Sequence, residues 1–530
     1  MRNSLNAFKL SALDYKIQNI STLATDENLK PLERAITSLA KFSRMSASEI
    51  ITPIKVADEM VEMLSEDQLR NIIKSGEKLL DIASKAGEYT VALVKRLQAL
   101  GFSLDEIRNN IYAIPTSSVA YEFTRRFYEI LGLNTACIAK NFTSYDLLDI
   151  KKDNEEVDYN RITELLSQKK NFDEIKLQDT IQGGDKVKFG AIVGNPPYQE
   201  SDGGAQASAR PIYHKFVEIT NQLSTNLATL IIPTRWYAGG KGLDQFREHM
   251  LANTHISQLH DFINPETVFP GTNNRGGVCY FLIDKSMCNQ TDRQTRIITH
   301  TKEKNDIISI RPLNSISLGI FIRDSIGVEI AEKLIRNKAF SPLSNEISSR
   351  KPFGFDGKII KSNQFHKEPS KMQEPILCYG KAQLKGYVER SSIQNHSEWI
   401  DCYKVFIPRA NNIGTELNDD NQNVFVGLPK EVCSETYILA GTQMSLTKET
   451  ATFLAKYMKT KFARFLHRLI KVSQDASKQT YRFVPVPDLS KDSPINWNLS
   501  LNEIDEQLFN FYGLNEEEKQ HIRDSIKVMN

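Results

Sequence analysis

The sequence predicts an α/β protein built on a mainly parallel sheet, followed by a second domain of mixed α and β character. Three observations carry this. Short apolar runs of strand length alternate with amphipathic stretches of helical length over the first 290 residues. Several of the runs close on a turn or a proline, as strands that deliver loops do. After about residue 286 the alternation weakens into shorter mixed elements. A chain of 530 residues has room for two to four domains at roughly 100 to 200 residues each. With 40% hydrophobic and 25% charged residues, it can bury cores and is not a disordered chain.

The elements follow in order. Residues 1–45 read as a helical segment, with Leu10, Leu13, Ile17 and Ile20 at helical spacing and a second start near Pro31. A central domain spans 46–290. It begins with Ile51-Thr52-Pro53 opening a helix from Ile54 to Leu64, then a strand at Lys78–Ala83, and a helix to Leu100 with Val91, Leu93, Val94 and Leu97 on its apolar side. The run Asn110–Ile114 is a strand ending at Pro115, followed by a helix through Leu131. Further strands are expected at Thr135–Ala139, Phe189–Val193, Leu227–Ile232 and Val278–Ile283, where the series closes. The polar stretch 151–188 reads as an insertion, residues 286–305 as a boundary, and 306–530 as the second domain.

Composition excludes several classes. No run approaches the roughly 20 apolar residues of a membrane span, and charged and polar residues interrupt the first twenty positions, so a cytoplasmic protein without membrane contact is expected. Six cysteines form no C-x-x-C pair and nine histidines form no H-x-x-x-H cluster. Neither a metal site nor a disulfide framework is therefore indicated, and reduced, buried thiols are expected. No G-x-x-x-x-G-K-[ST] loop is present. The acid and E-x-K groupings a metal-dependent nuclease needs, Asp158 with Glu174 and Lys176, and Asp505 with Glu517 and Lys519, lie where helix capping and a polar insertion explain them. Net charge is +2, but the window 341–490 holds 21 Lys and Arg against 15 Asp and Glu, an excess of six.

The most specific string is Asn195-Pro196-Pro197-Tyr198, directly after the apolar strand Phe189–Gly194. Such a string arises by accident in about one chain in a thousand of this length. It sits where a strand hands its loop to an α/β active site. Its chemistry suits transfer to a planar amino nitrogen, whose lone pair is delocalised into the ring. Two fixed carbonyl oxygens, the Asn195 side chain and the Pro196 main chain, accept both N–H bonds and favour a pyramidal nitrogen with its lone pair available. The prolines stiffen the loop and Tyr198 offers a face for a flipped base.

This string resembles the catalytic motif of the N6-adenine DNA methyltransferases, and the other segments fall in the order of the gamma-class enzymes of restriction-modification systems. The resemblance covers roughly 49–284 and implies a Rossmann-like fold that uses S-adenosylmethionine, with a target-recognition domain after it. It places Thr52 and Pro53 in the upstream cofactor motif, and Asp81, Ala83 and Gly87 in the cofactor loop. Asp146 falls at the position that contacts the cofactor adenine, with Asn141 and Phe142 as competitors and helix capping as the alternative role. The chain departs from the family at Lys85, where a loop glycine is usual, at Ile82, where a proline is usual, and at Pro115, where the family has a ribose-binding acid. Ile231–Trp236 and Val278–Phe281 resemble the later strands of the family.

In the second domain, Lys456 to Arg482 reads as an amphipathic helix with a basic face. Attached to a base-modifying domain, Lys461, Arg464, Arg468, Lys471, Lys478 and Arg482 are expected to meet DNA phosphates; Lys381, Lys385, Tyr387 and Arg390 form a smaller group of the same kind. The expected activity is methylation of adenine N6 in double-stranded DNA. A separate restriction endonuclease or accessory subunit fits as partner. Two other readings stay open: a non-catalytic DNA-binding or assembly subunit, and methylation of RNA or of a protein glutamine.

Overall fold

The structure is a computed structural model. It describes residues 29–40 and 50–530, apart from 169–170, 181–185, 201–209, 238, 241, 272–275, 287–293, 302–305, 316–318, 371, 382–383, 414–419, 472–474, 528 and 530. The helix expected over 1–28 and Cys288 lie outside the described residues. The chain divides into two compact units, Met1–Asn314 and Ser315–Asn530.

The first unit is built on an eight-stranded sheet in the order β2-β1-β3-β4-β6-β5-β7-β8. Its strands are β1 (Lys78–Ser84), β2 (Ile111–Pro115), β3 (Phe189–Gly194), β4 (Ser224–Pro233), β5 (Ile256–Phe262), β6 (Val278–Asp284), β7 (Thr295–His300) and β8 (Ile307–Arg311). Strands β2, β1, β3 and β4 run parallel, and β6 lies antiparallel between β4 and β5. Parallel strands must be covered on both faces, which is why β2 and β3 are buried along their whole length. Helices at Ile54–Glu62 (α1), Glu88–Ala99 (α2), Ser118–Leu131 (α3) and Tyr213–Leu223 (α4) bury their apolar stripes against this unit. From β1 the chain passes to β2 on one side and later to β3 on the other. The carboxyl ends of β1 and β3 therefore flank a topological switch point, the place where an open α/β sheet binds its ligand.

Three expectations are corrected. Thr135–Ala139 is no strand: Thr135–Cys137 forms a 3₁₀ turn stabilised by the Asn134 side chain, and one bridge between Ala113 and Ile138 is all that joins β2. The sheet does not close at β6, because β7 pairs in parallel with β5, and β8 follows it. The division between the units accordingly falls at residue 314/315, beyond the 286–305 stretch. That stretch contains β7, which pairs with β5 on one side and β8 on the other, so the domain does not end there. The insertion 151–188 carries a helix, Tyr159–Leu166, capped by Asp158.

The second unit contains two three-stranded sheets, β10-β9-β13 and β12-β11-β14, formed from Pro375–Tyr379 (β9), Lys385–Glu389 (β10), Lys404–Pro408 (β11), Phe425–Gly427 (β12), Glu431–Cys433 (β13) and Tyr437–Ala440 (β14). Helices Lys448–Lys459, Lys461–Arg468, Leu501–Phe511 and Glu516–Ser525 complete it. The single basic helix expected over 456–482 is two helices. It breaks at Thr460, an extended residue whose hydroxyl caps the second helix by accepting from Ala463 N–H. Among the described residues no helix is long and apolar enough to cross a membrane.

Candidate active site

The loop leaving β1 is held by its own polar groups. Asp81 is wholly buried; its Oδ1 accepts from the Ala83 N–H at 3.3 Å, and its Oδ2 has no hydrogen-bond partner among the described residues. Burial, with Glu88 beside it adding repulsion, pushes the Asp81 carboxyl up to about 8. Gly87 lies in the left-handed region at φ 77° and starts α2. A Cβ there would meet Phe127 and Thr124 of α3 at ordinary contact distance, so the glycine serves the turn itself and does not face an open space. Ala83 and Ala86 are buried alongside. Lys85, where the family has glycine, turns its buried side chain across to β3 and donates to the Asn195 carbonyl at 3.0 Å.

That bond joins the two loops at the switch point. Gly194 ends β3 at φ 158°, and a Cβ on it would lie 3.1 Å from Ile82 and 3.5 Å from Asp81 Oδ1. A side chain there would crowd Ile82, so glycine eases the close approach of the Asn195–Tyr198 string to β1. Asn195 follows, 3% exposed; its Nδ2 donates to the Thr52 hydroxyl at 3.1 Å, and its Oδ1 has no partner among the described residues. Thr52, next to Pro53 at the start of α1, donates its N–H to Glu88 Oε1 at 3.2 Å, while Glu88 Oε2 accepts from Ala86 N–H at 3.0 Å. Thr52, expected as a cofactor contact, is thus brought to the site with its hydroxyl turned on Asn195.

Pro196 and Pro197 are buried and Tyr198 is half-buried. The Tyr198 ring packs edge-on against Tyr213 at 6.4 Å, and Tyr213 packs against Phe246, which meets Trp236. The Tyr198 hydroxyl has no partner among the described residues, and burial holds its pKa well above the usual phenol value. Asp146 accepts from the N–H and hydroxyl of Thr143 through Oδ2 at 2.7 and 2.8 Å, the turn-capping role. Its competitor Asn141 is spent on the carbonyls of Asp173 and Ile175, and Phe142 is buried. At the end of β2, Pro115 is buried and its carbonyl accepts from Ser144 N–H.

Residues 109–269, which include β2, β3 and the Asn195–Tyr198 string, match the family model described as Eco57I restriction-modification methylase. A protein of Mycoplasma pneumoniae described as an uncharacterized adenine-specific methylase is 31% identical over 99 residues. The chain is similar to restriction-modification adenine methylases. The Mycoplasma match covers 18% of this chain and 24% of that protein, so the chain spans about a quarter of its relative's length. Among solved structures, the type IIG restriction endonuclease BpuSI aligns over 90% of this chain and 62% of its own, with TM-score 0.38 and 12% identity. A nuclease-deletion mutant of the type ISP enzyme LlaGI aligns over 90% and 48%, with TM-score 0.47 and 12% identity.

In the methylase-like unit, sequence reasoning assigned no role to Glu88, which accepts from Thr52 and Ala86, to Tyr213, which packs on Tyr198, or to the buried pair Tyr89 and Met60. Only Glu88 and Tyr89 carried a signal, since they fall in the loop after Asp81.

In the second unit, two of the six residues expected at phosphates, Arg464 and Lys471, are buried, Lys461 and Arg482 are half-buried, and Arg468 and Lys478 are exposed. Arg464 is 4% exposed, and its guanidinium donates to the carbonyls of Lys459, Thr460, Asp420 and Lys527 at 3.0 to 3.4 Å. Lys471 is buried and donates to the carbonyls of Asn411 and Ile413 at 2.9 and 2.7 Å. Lys461 donates to the Arg523 carbonyl at 2.7 Å and Arg468 to the Ser525 carbonyl. All four donate to main-chain carbonyls of their own unit, and burial leaves Arg464 and Lys471 with that structural role in place of the expected contact with DNA phosphates. Lys478 is exposed, and Arg482 is half-buried over the Phe483 ring at 5.4 Å. In the smaller group, Lys385 lies over Tyr379 and Arg390 pairs with Asp401. The nuclease candidate Asp505 accepts from the N–H groups of Lys461 and Phe462, capping a helix.

Proposed function

We propose that the chain is a site-specific DNA methyltransferase that places a methyl group on adenine N6 in duplex DNA, within a restriction-modification system of the cell interior. The observation that carries this is the Asn195 carboxamide: buried, anchored through its nitrogen, with its acceptor oxygen left without a partner. A buried acceptor with nothing to accept costs stability, and such a cost persists where a ligand completes it. A non-catalytic subunit has no use for it. Asn195 Oδ1 and the Pro196 carbonyl receive the two N–H bonds of the target amine; Tyr198, braced by Tyr213, supports the face of the extruded base.

The residues suit the cofactor that such chemistry needs. The buried Asp81, whose Oδ2 has no partner among the described residues, lies at the switch point beside Ala83 and is the residue here that supports cofactor binding; Thr52, Pro53, Gly87 and Asp146 complete the expected set. When bound, S-adenosylmethionine supplies an electrophilic methyl group. The chain's own work is to position the amine, keep its lone pair exposed and shield the site from water.

The test is direct. Expression in cells free of adenine methylation, followed by modified-base sequencing, should return N6-methyladenine at one recurring DNA motif. Unmodified DNA, with label transferred instead to RNA or protein, would move the reading to those substrates.

Cofactor binding should depend on pH through Asp81. Its carboxyl keeps its proton up to about 8 in the free site, and a cationic ligand is held by the ionised form. Affinity should therefore rise as pH increases toward 8, level off above it, and be accompanied by proton release in calorimetry. Folding stability runs the other way: native Asp81 retains a proton that the unfolded carboxyl, near 3.8, has lost, so its contribution falls across that same interval. A flat affinity profile would remove Asp81 from the cofactor site.

A further inference from the structure

The string Asn195-Pro196-Pro197 is short of the means that usually fix a loop. Prolines carry no N–H, so neither Pro196 nor Pro197 can tie itself to a neighbour as a donor. Before the string, Gly194 is paired with Leu230 of β4; at its end, the Tyr198 carbonyl accepts from Ile212 N–H at 3.1 Å. Between these two ties, the Asn195 carbonyl accepts from Lys85 Nζ at 3.0 Å.

Lys85 comes from the loop after β1, on the other side of the switch point, and is 5% exposed. Its backbone is not among the left-handed positions, so the turn has no need of glycine there and carries the longer residue without strain. A buried ammonium is costly unless polar groups receive it, and the Asn195 carbonyl is one that does.

That bond fixes more than one atom. The Asn195 carbonyl lies in the peptide plane it shares with Pro196. Pro196 has its φ locked at about −65° by its ring, and its ψ is driven to the extended region because Pro197 follows it. Once the Asn195–Pro196 plane is set, the direction of the Pro196 carbonyl follows with little torsional freedom left. The other acceptor hangs from the same residue, and its nitrogen is anchored on the Thr52 hydroxyl at 3.1 Å. Lys85 therefore holds the base from which both acceptors project.

We propose that Lys85 is a positioning residue for methyl transfer, a buried strut that holds the Asn195–Pro196 peptide so that the Asn195 side-chain oxygen and the Pro196 carbonyl together face the two N–H bonds of the target amine. This rests on the methylation reading above. Lys85 acts through the string, and its role requires no contact with base or cofactor. A residue that stands where the family has glycine is thereby given a task on the catalytic loop.

The experiment uses the full chain, tritium-labelled S-adenosylmethionine and DNA from a methylation-deficient host. Single-turnover methyl transfer is measured at saturating cofactor, cofactor affinity is measured separately by calorimetry, and rates are compared at a temperature where melting curves show every variant folded. Lys85→Met nearly keeps the length of the side chain and deletes the donor. It should slow methyl transfer about ten- to a hundredfold, the worth of a hydrogen bond from a charged donor, with cofactor affinity within about threefold of wild type. Lys85→Arg keeps a charged donor and should recover most of the lost rate. Lys85→Gly, which restores the residue usual in the family, should be as slow as Lys85→Met. In an Asn195→Ala background the main-chain carbonyl remains, so Lys85→Met should slow the residual reaction further by releasing the Pro196 carbonyl. Full-rate transfer in Lys85→Met or Lys85→Gly would overturn the strut, as would a loss confined to cofactor affinity. In either case a large loss from Asn195→Ala alone leaves the methylation reading standing. A wild-type chain that methylates no adenine removes both.

Discussion

Asn195→Ala should reduce methyl transfer by about a hundred- to a thousandfold, the usual cost of deleting one preorganised hydrogen-bond partner from a reacting group. The fold should survive. Asn195 makes its side-chain bond to Thr52, while the position of its main chain is held by Lys85 and by the close approach of Gly194 to β1, neither of which the substitution removes. Calorimetry should then report cofactor binding near the wild-type value, with the loss confined to the rate. Tyr198 gives a graded comparison. Tyr198→Phe keeps the ring and should be mild, whereas Tyr198→Ala withdraws the surface packed on Tyr213 and should weaken capture of the flipped base. Near-normal turnover in Asn195→Ala would take the residue out of the mechanism.

The second large effect is expected on stability and not on chemistry. Arg464→Ala removes a side-chain donor from the carbonyls of Lys459, Asp420 and Lys527 inside the second unit, while the Thr460 carbonyl keeps the Arg464 main-chain N–H, and each buried acceptor left unpaired costs about 1–3 kcal/mol before relaxation. A net loss on the order of 3–5 kcal/mol follows, which for a unit of this size lowers its thermal midpoint by about 10 °C. Differential scanning calorimetry should show that unit melting early while the methylase-like unit is little changed. The contrast is Lys478→Ala. This side chain is exposed, so the variant should melt as wild type and, if it meets a phosphate, flatten the slope of log affinity against log salt by up to about one unit. An Arg464→Ala protein with an unchanged melting profile would contradict the structural role assigned to that guanidinium.

The parts legible in the sequence were those in which local pattern and tertiary environment agree. β1, β2, β3 and the centre of β4 are apolar runs because parallel strands are covered on both faces, and the run therefore shows without any knowledge of neighbours. Asn195–Tyr198 was legible because a rare string followed such a run. Thr135–Ala139 misled because its apolar residues are buried as a strand's would be, while the Asn134 cap draws the backbone into a 3₁₀ turn. β7 and β8 were missed because each is a short run, Thr295–His300 and Ile307–Arg311, in which polar and charged residues interrupt the apolar ones. The basic segment misled most. Helical spacing tells which residues share a face, but a lysine or arginine on that face reads the same whether it meets solvent or bends back onto a carbonyl. The Thr52–Asn195 contact could not be read at all, since the two residues are 143 positions apart and their meeting depends on the sheet order.

The inward cations change what the isoelectric balance of this molecule means. The window 341–490 carries an excess of six positive charges by composition. Six of its cations, Lys404, Lys456, Lys461, Arg464, Arg468 and Lys471, spend their donors on main-chain carbonyls of their own unit. Three of them, Lys404, Arg464 and Lys471, are buried and act as internal rivets. Their charge cannot touch a phosphate directly, so composition overstates how many cations of this window are available for contact. Whatever draws it to nucleic acid must lie in the placement of a few outward side chains and not in bulk basicity.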